Sequence, residues 1–143
     1  LTQFQTEKEA HLRLIKERKV YFWTQLKDKA TTIENQTQAE ILNQIIADTV
    51  PFFRLDGAFY LFLDAAALFT ETGCFKTAND IGVYFAKKGI ILVPGTCFDL
   101  APQNPQGFNK TCVRIAFASL DKDHWQAQID RLIDTILNAT KEV

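Results

Sequence analysis

Apolar and polar positions follow a helical period at both ends of this chain and a strand period in the middle. From Thr2 to about Lys29, Phe4, Leu12, Ile15, Phe22 and Leu26 recur at spacings of three, four, seven or eight, and Glu7, Lys8, Glu9, Lys16, Glu17 and Lys27 fill much of the rest. This pattern predicts an amphipathic helix with one apolar stripe, laid over a sheet or a neighbouring domain. A polar stretch follows from Thr31 to Gln36. Thr37-Gln-Ala-Glu40 then has capping-box spacing, a hydroxyl at the N-cap with a carboxylate three residues on. Ile41, Leu42, Ile45 and Ile46 form the face of a second helix. Pro51 stops it, because the ring disfavours a helical Val50.

At Phe52 the period changes. Phe52 to Leu55 is short and apolar, Asp56-Gly57 is a tight-turn dipeptide, and Ala58 to Leu63 reads as a strand. Phe59, Leu61 and Leu63 are apolar on one side and Tyr60 and Phe62 on the other, which predicts burial on both faces. The stretch Asp64 to Ala78 reads as irregular or partly helical. Asn79 is placed to cap a helix running to about Lys88, with Gly89 where a left-handed C-cap residue is wanted. Ile90-Ile-Leu-Val93 reads as a buried strand ended by Pro94-Gly95. Thr96 to Thr111 reads as a 16-residue loop, a length at which loops within domains are usually functional or mobile. Cys112 to Ala118 is the last predicted strand. Ser119 or Asp121 is expected to begin a final helix, with Trp125, Ile129, Leu132, Ile133, Ile136 and Leu137 on one side.

The expected order is therefore helix, helix, strand, strand, helix, strand, strand, helix. It predicts an α/β (α+β) two-layer sandwich, a small mixed sheet covered by helices, with connections of helical length favouring parallel or mixed neighbours among the later strands. At 143 residues the chain is long enough for one domain, here residues 1–143, with 1–50 a helical segment and 51–143 a sheet-and-helix core.

Composition narrows the class. Apolar residues make up 47% and charged residues 23%, values of an ordinary globular domain rather than a disordered chain, a collagen or a coiled-coil rod. Sixteen basic against 17 acidic residues leave a net charge of -1, without the basic excess of a domain that grips a phosphate backbone, so no nucleic-acid partner is expected. No run approaches the roughly 18 to 20 apolar residues that span a bilayer, so no membrane association is expected. Residues Leu1 to Ala10 are too polar for a secretory signal. The chain begins with Leu and contains no Met, from which we expect the native start to lie upstream. Three cysteines, Cys74, Cys97 and Cys112, argue against a disulfide scaffold and fit a reducing, cytoplasmic compartment.

Arg114 is the residue at odds with its surroundings, in Cys112-Val-Arg-Ile-Ala-Phe-Ala118. Strand alternation puts it on one face with Cys112 and Ala116, which leave room along its stem, and puts Val113, Ile115 and Phe117 on the other. A guanidinium keeps its charge, and burying it alone costs several kcal/mol. Three readings are open. Arg114 pairs with a carboxylate of its own chain, such as Asp64 or Asp99; it reaches solvent from an edge strand; or it holds a ligand carboxylate or phosphate in a two-pronged fork.

Three blocks, taken in order, resemble the C-terminal small domain of class I/II aminotransferases, the fold-type-I pyridoxal-phosphate enzymes. They are Asp56-Gly-Ala-Phe-Tyr-Leu-Phe-Leu-Asp64, Gly89-Ile-Ile-Leu-Val-Pro-Gly-Thr-Cys-Phe98 and Cys112-Val-Arg-Ile-Ala-Phe-Ala-Ser119. The resemblance covers about Phe52 to Leu137 and, more loosely, the first helix. It implies that Arg114 binds the substrate α-carboxylate, with Phe59, Pro94, Gly95 and Phe98 as scaffold on the substrate side of the cleft. It implies transfer of an amino group between an amino acid and a 2-keto acid, pyridoxal 5'-phosphate as cofactor, and a homodimer when intact. In that family the cofactor's lysine, phosphate-binding arginine, pyridine-nitrogen aspartate and stacked aromatic belong to a large domain, which this sequence does not contain. This chain alone is therefore expected neither to hold the cofactor tightly nor to catalyse. The stretch from Lys29 to Pro51 and the loop from Thr96 to Thr111 are longer than the family pattern. Alternatives are an aminotransferase-like domain of a lyase, synthase or regulator, and a stand-alone interaction or ligand-sensing domain that keeps the arginine without chemistry.

Other signals point to bland roles. Ser119-Leu-Asp-Lys122 has the spacing of the family's lysine motif but reads as a helix start. His11 and His124 are too far apart in sequence to suggest a metal cluster, and Cys97 has no histidine placed beside it to activate the thiol. Asn35, Asn109 and Asn138 lie in glycosylation triplets that we read as unmodified. Phe52, Phe53, Phe59, Tyr60 and Phe62 read as core rather than a base-stacking platform, since only Arg54 interleaves.

Overall fold

The computed structural model describes residues 2–53, 60–98 and 110–143. Helix α1 spans Gln3–Thr32, with Thr2 and Gln5 forming a reciprocal capping box at its start. Its buried positions are Ile15, Arg18, Lys19, Phe22, Leu26 and Ala30, spaced as one helical face. Phe4 is 74% exposed, so the apolar stripe read from the sequence enters the core only from Ile15. A helix of this length runs about 45 Å, longer than the body of a small domain can cover.

Helix α2 spans Gln36–Thr49 and buries Leu42, Ile45 and Thr49. Its N-cap is Asn35, whose side-chain oxygen accepts from the Gln38 amide at 3.0 Å, and not Thr37 as the spacing suggested. Either residue can cap, and Asn35 captures the first turn two residues earlier. Pro51 sits in a tight 3-10 turn, Val50–Phe52, that continues from the helix end. Phe53 then stacks on Trp23 of α1 with ring centroids 4.6 Å apart.

Strand β1 is Tyr60–Asp64, and a 3-10 turn at Ala66–Leu68 follows it. Helix α3 is Ala78–Lys87, capped by Thr77 rather than Asn79, with Asp80 completing the capping box. Gly89 takes φ +81. The amides of Gly89 and Ile90 return to the carbonyls of Ala86 and Phe85, the paired bonds of a Schellman ending. Strand β2 is only Val93–Pro94. The expected strand over Ile90–Val93 is therefore mostly unpaired chain, with Ile91 76% exposed. Strand β3 is Cys112–Ala116 and helix α4 is Trp125–Thr140. The last helix begins later than Ser119 or Asp121: Asp121 Oδ1 accepts the Asp123 amide at 2.8 Å in a turn before it, and the Asp121 amide donates to the Gln128 side chain inside α4.

The sheet order is β1-β3-β2, and both pairs are antiparallel. This corrects the expectation of a mixed sheet with parallel neighbours. The helical connection through α3 does leave β1 and β2 running in the same direction. They are not neighbours, because β3 inserts between them and runs the opposite way.

The two faces of the sheet differ. Leu61, Leu63, Val113 and Ile115 belong to one core cluster with Phe22 and Leu26 of α1, Leu42 and Ile45 of α2, Phe85 of α3 and Ile133 of α4. The opposite face carries Tyr60, Phe62 and Arg114, none of them buried. Burial of β1 on both faces is thus corrected: Tyr60 is 39% exposed. The architecture is α+β, helices layered on one side of a small antiparallel sheet. Among the described residues no helix is long and apolar enough to cross a membrane.

Candidate functional site

Arg114 occupies the middle of the central strand. Its register partners are Phe62 of β1 and Val93 of β2, so all three side chains share the outer face. The edge-strand reading is thereby excluded. Ala116, on the same face, stands opposite Tyr60 and contributes only a methyl group. The guanidinium carbon lies 5.2 Å from the centre of the Tyr60 ring, within cation–π range. Tyr60 in turn meets Phe62 edge-on, with centroids 5.4 Å apart and planes at 82°. Arginine, tyrosine and phenylalanine thus form a half-exposed patch on the face turned away from the core.

The two carboxylates considered for Arg114 fare differently. Asp64 lies one same-face step away, opposite Cys112, and its Oδ1 accepts the Ala66 amide at 3.0 Å. Asp99 is outside the described residues, as are Phe59 and Asn109. Pro94 pairs with Val113, and Gly95 opens the 3-10 turn Gly95–Phe98 that carries the chain onward beside β3. The strand edge therefore brings Pro94 and Gly95 near the arginine row, while Phe59 cannot be placed with them.

Cys112 shares the outer face but is fully buried at its end. Burial first, then the Asp64 carboxylate, pushes its thiol up to about 12, the opposite of an activated nucleophile. Cys74 and Cys97 are exposed. His124 Nδ1 sits 3.2 Å from Asp121 Oδ1 in an exposed turn, and His11 is exposed on α1. Among the described residues no group of three or more His, Cys, Asp or Glu could hold a metal. Asn35 spends its side chain as the α2 cap, and Asn138 is exposed on α4.

Among the described residues, two hollows have linings that do not include Arg114. A cavity of about 240 Å³ opens between the Gly89–Leu92 segment, the end of β3 and α4, and Arg114 is not among its lining residues. Ile90 to Leu92, which do not pair with β3, form one of its sides. A second hollow of about 280 Å³ lies between α1 and α4 at Tyr21, Lys29, Asp130 and Asp134. There the Tyr21 hydroxyl donates to Asp130 at 2.8 Å, a bond that, with burial, raises the phenol's pKa and keeps it a neutral donor.

Sequence reading passed over Arg18 and Lys19, both buried on α1. The spacing 15, 18, 19, 22, 26, 30 was the available signal, because it runs through both charges on the core face. Arg18 Nη1 donates to the carbonyls of Phe117 at 2.8 Å and Leu120 at 3.2 Å. Its guanidinium also lies 5.8 Å from the centre of the Trp125 ring. Its role is to fasten the turn that follows β3.

The described residues do not fit pyridoxal phosphate. Lys122, the lysine with Ser-x-x-Lys spacing, is in an exposed turn, and Lys19 is enclosed in the core. Compared with known proteins, the chain matches no family model, no curated protein and no solved structure.

Proposed function

We propose that this chain is the small, substrate-binding domain of a pyridoxal-phosphate-dependent aminotransferase, and that Arg114 receives the α-carboxylate of the amino-acid and 2-keto-acid substrates. The cofactor and the lysine that carries it belong in this reading to a second, large domain, and the working enzyme is a homodimer in the cytoplasm. One observation carries the proposal: a permanently charged arginine stands mid-strand on the sheet face that the helices leave uncovered.

The chemistry asked of these residues is positioning. A guanidinium edge offers two parallel N–H donors to the two oxygens of a carboxylate. The central strand fixes the backbone from which those donors extend, on one side by β1 and on the other by β2. Fixing the carboxylate sets the direction of the substrate's Cα bonds relative to the reacting group opposite, which lowers the entropic part of the barrier. When bound, the cofactor stabilises the negative charge that develops at Cα; nothing in that step is assigned to this chain.

Arg114→Ala in the full-length protein that carries this chain tests the reading. Loss of a two-pronged, charge-assisted contact should weaken the apparent affinity for the amino acid on the order of 100-fold, while the cofactor's absorbance persists. Unchanged amino-acid kinetics would remove Arg114 from the site and return the domain to a non-catalytic ligand-sensing or interaction role.

A further inference from the structure

We infer that the cavity between the Gly89–Leu92 segment, β3 and α4 binds a small carboxylic acid with an apolar body, its carboxylate held by Arg131. The inference does not rest on the reading of Arg114. The cavity lies where the sheet is left incomplete. The Ala65 amide donates to the Thr111 carbonyl, so the odd-numbered residues of β3 bond to β1. The even-numbered ones, Arg114 and Ala116 among them, turn their peptide groups to the other side. Arg114 meets Val93 there. Ala116 would meet Ile91, but β2 is only Val93–Pro94 and Ile91 is 76% exposed. The gap that remains is lined by Leu92, Ile115, Phe117, Ile129 and Leu132, all buried core residues. Its volume of about 240 Å³ exceeds the roughly 150 Å³ of an apolar cavity that admits benzene, so a ring with a short side chain is of the right size.

Polar groups gather among the lining residues at the solvent side. Ser119, Gln128 and Arg131 line the cavity and are exposed. The Arg131 guanidinium packs against Gly89, where a Cβ would lie 3.0 Å from Nη2. Nη2 also donates to the Lys88 carbonyl. That bond fixes the place of the guanidinium and uses one of its five N–H donors. Among the described residues Arg131 forms no ion pair with Asp or Glu. A cation beside an apolar hollow selects a compound that carries both complements. The carboxylate takes N–H donors of the guanidinium, and the apolar body leaves water for the hollow. The lining residues include no second cation, so a singly charged carboxylate suits the site better than a doubly charged phosphate ester.

The test uses the full-length protein that carries this chain, with its isoleucine methyl groups labelled for NMR. The probe is hydrocinnamate, a benzene ring on a propionate chain, and its neutral amide is the control. Hydrocinnamate should shift the methyl resonances of Ile90, Ile115 and Ile129, which line the cavity. Calorimetry should show the amide binding roughly 5- to 10-fold more weakly than the acid. Arg131→Gln should bring the acid down to the level of the amide and leave the amide unchanged, and Arg131→Lys should recover part of the difference. Ser119→Trp, at an exposed position of the lining, should block both compounds. If Arg131→Gln folds poorly, the acid-to-amide ratio in the parent and in Arg131→Lys decides. Absence of shifts at the three methyls up to the solubility limit, equal affinities of acid and amide, or acid binding that Arg131→Gln leaves intact would overturn the assignment. Arg114→Ala should leave the shifts at Ile90 and Ile129 in place, so failure at Arg114 and failure at this cavity are told apart.

Discussion

Arg18 Nη1 donates to the carbonyl of Phe117 at 2.8 Å, across 99 residues of chain. The bond fastens the middle of α1 to the end of the central strand, and its second branch to Leu120 fixes the turn into α4. A buried charge is tolerated here because carbonyl dipoles and the Trp125 ring surround it. Arg18→Ala would leave two carbonyls without this donor and a hollow beside α1. We expect a loss of about 2–4 kcal/mol, read as a shift in the urea midpoint. A shift below about 0.5 kcal/mol would mean that water replaces the guanidinium freely.

The start of α3 depends on three hydrogen bonds, two of them reciprocal between Thr77 and Asp80. Thr77 Oγ1 accepts from the Asp80 amide at 3.2 Å, and Asp80 Oδ2 accepts from the Thr77 and Lys76 amides at 3.0 and 2.9 Å. Thr77→Ala should cost about 1 kcal/mol. The Lys76 amide is the chief cause that holds the Asp80 carboxyl below its ordinary value. A lowered folded-state value stabilises the fold above the ordinary carboxylate range, and the benefit is lost as pH falls through it. Asp80→Asn should therefore flatten the acid side of the stability–pH curve, with little change at neutral pH in the slope. An acid limb identical to the parent's would show that Asp80 takes no part in it.

The three thiols should separate by reactivity. Cys74 and Cys97 are exposed and Cys112 is buried. Alkylation of the native protein near pH 8, about the ordinary thiol value, should modify the first two and spare Cys112 until the chain unfolds. The Cys112 thiol is raised from 9.0 to about 12, so the folded state retains the proton longer than the unfolded one. Its contribution is fully present below about pH 9 and is lost as pH rises toward 12. Cys112→Ala should reduce the alkaline loss of stability. Rapid labelling of Cys112 under native conditions would contradict its enclosure.

Gly89 closes α3 with φ +81, a conformation open to glycine and strained for other residues. A Cβ there would also lie 3.0 Å from Arg131 Nη2, whose group donates to the Lys88 carbonyl. Gly89→Ala should destabilise the chain by about 1 kcal/mol, seen as a lower thermal midpoint. Gly89→Asn should recover part of the loss, because asparagine tolerates left-handed backbone better. Equal midpoints for alanine and glycine would show that the turn relaxes.

Much of the fold was legible in the local pattern. The helical period gave α1, α2 and α4 approximately, and Gly89 was correctly placed as a left-handed terminator. Alternation correctly separated Val113 and Ile115 from Arg114. What failed were features in which several residues compete for one job. Asn35 and Thr37 both suit an N-cap, as do Thr77 and Asn79, and only the path of the incoming chain chooses between them. The strand-like Ile90–Val93 run pairs with β3 only at Val93, an outcome no short window records. For the site, the sequence singled out Arg114 by its charge among apolar neighbours. It did not separate core from outer face for Tyr60 and Phe62, since aromatic residues suit either.

From sequence alone, then, this protein's periodicities determine where helices and strands form and which residue carries an unexpected charge, because those depend on neighbours a few positions away. Only the tertiary structure decided that β3 lies between β1 and β2, that Arg18 and Lys19 are core residues, and that the Tyr60 ring lies near Arg114. Each of these depends on contacts between segments far apart along the chain, where burial and hydrogen bonding across the fold outweigh local preference.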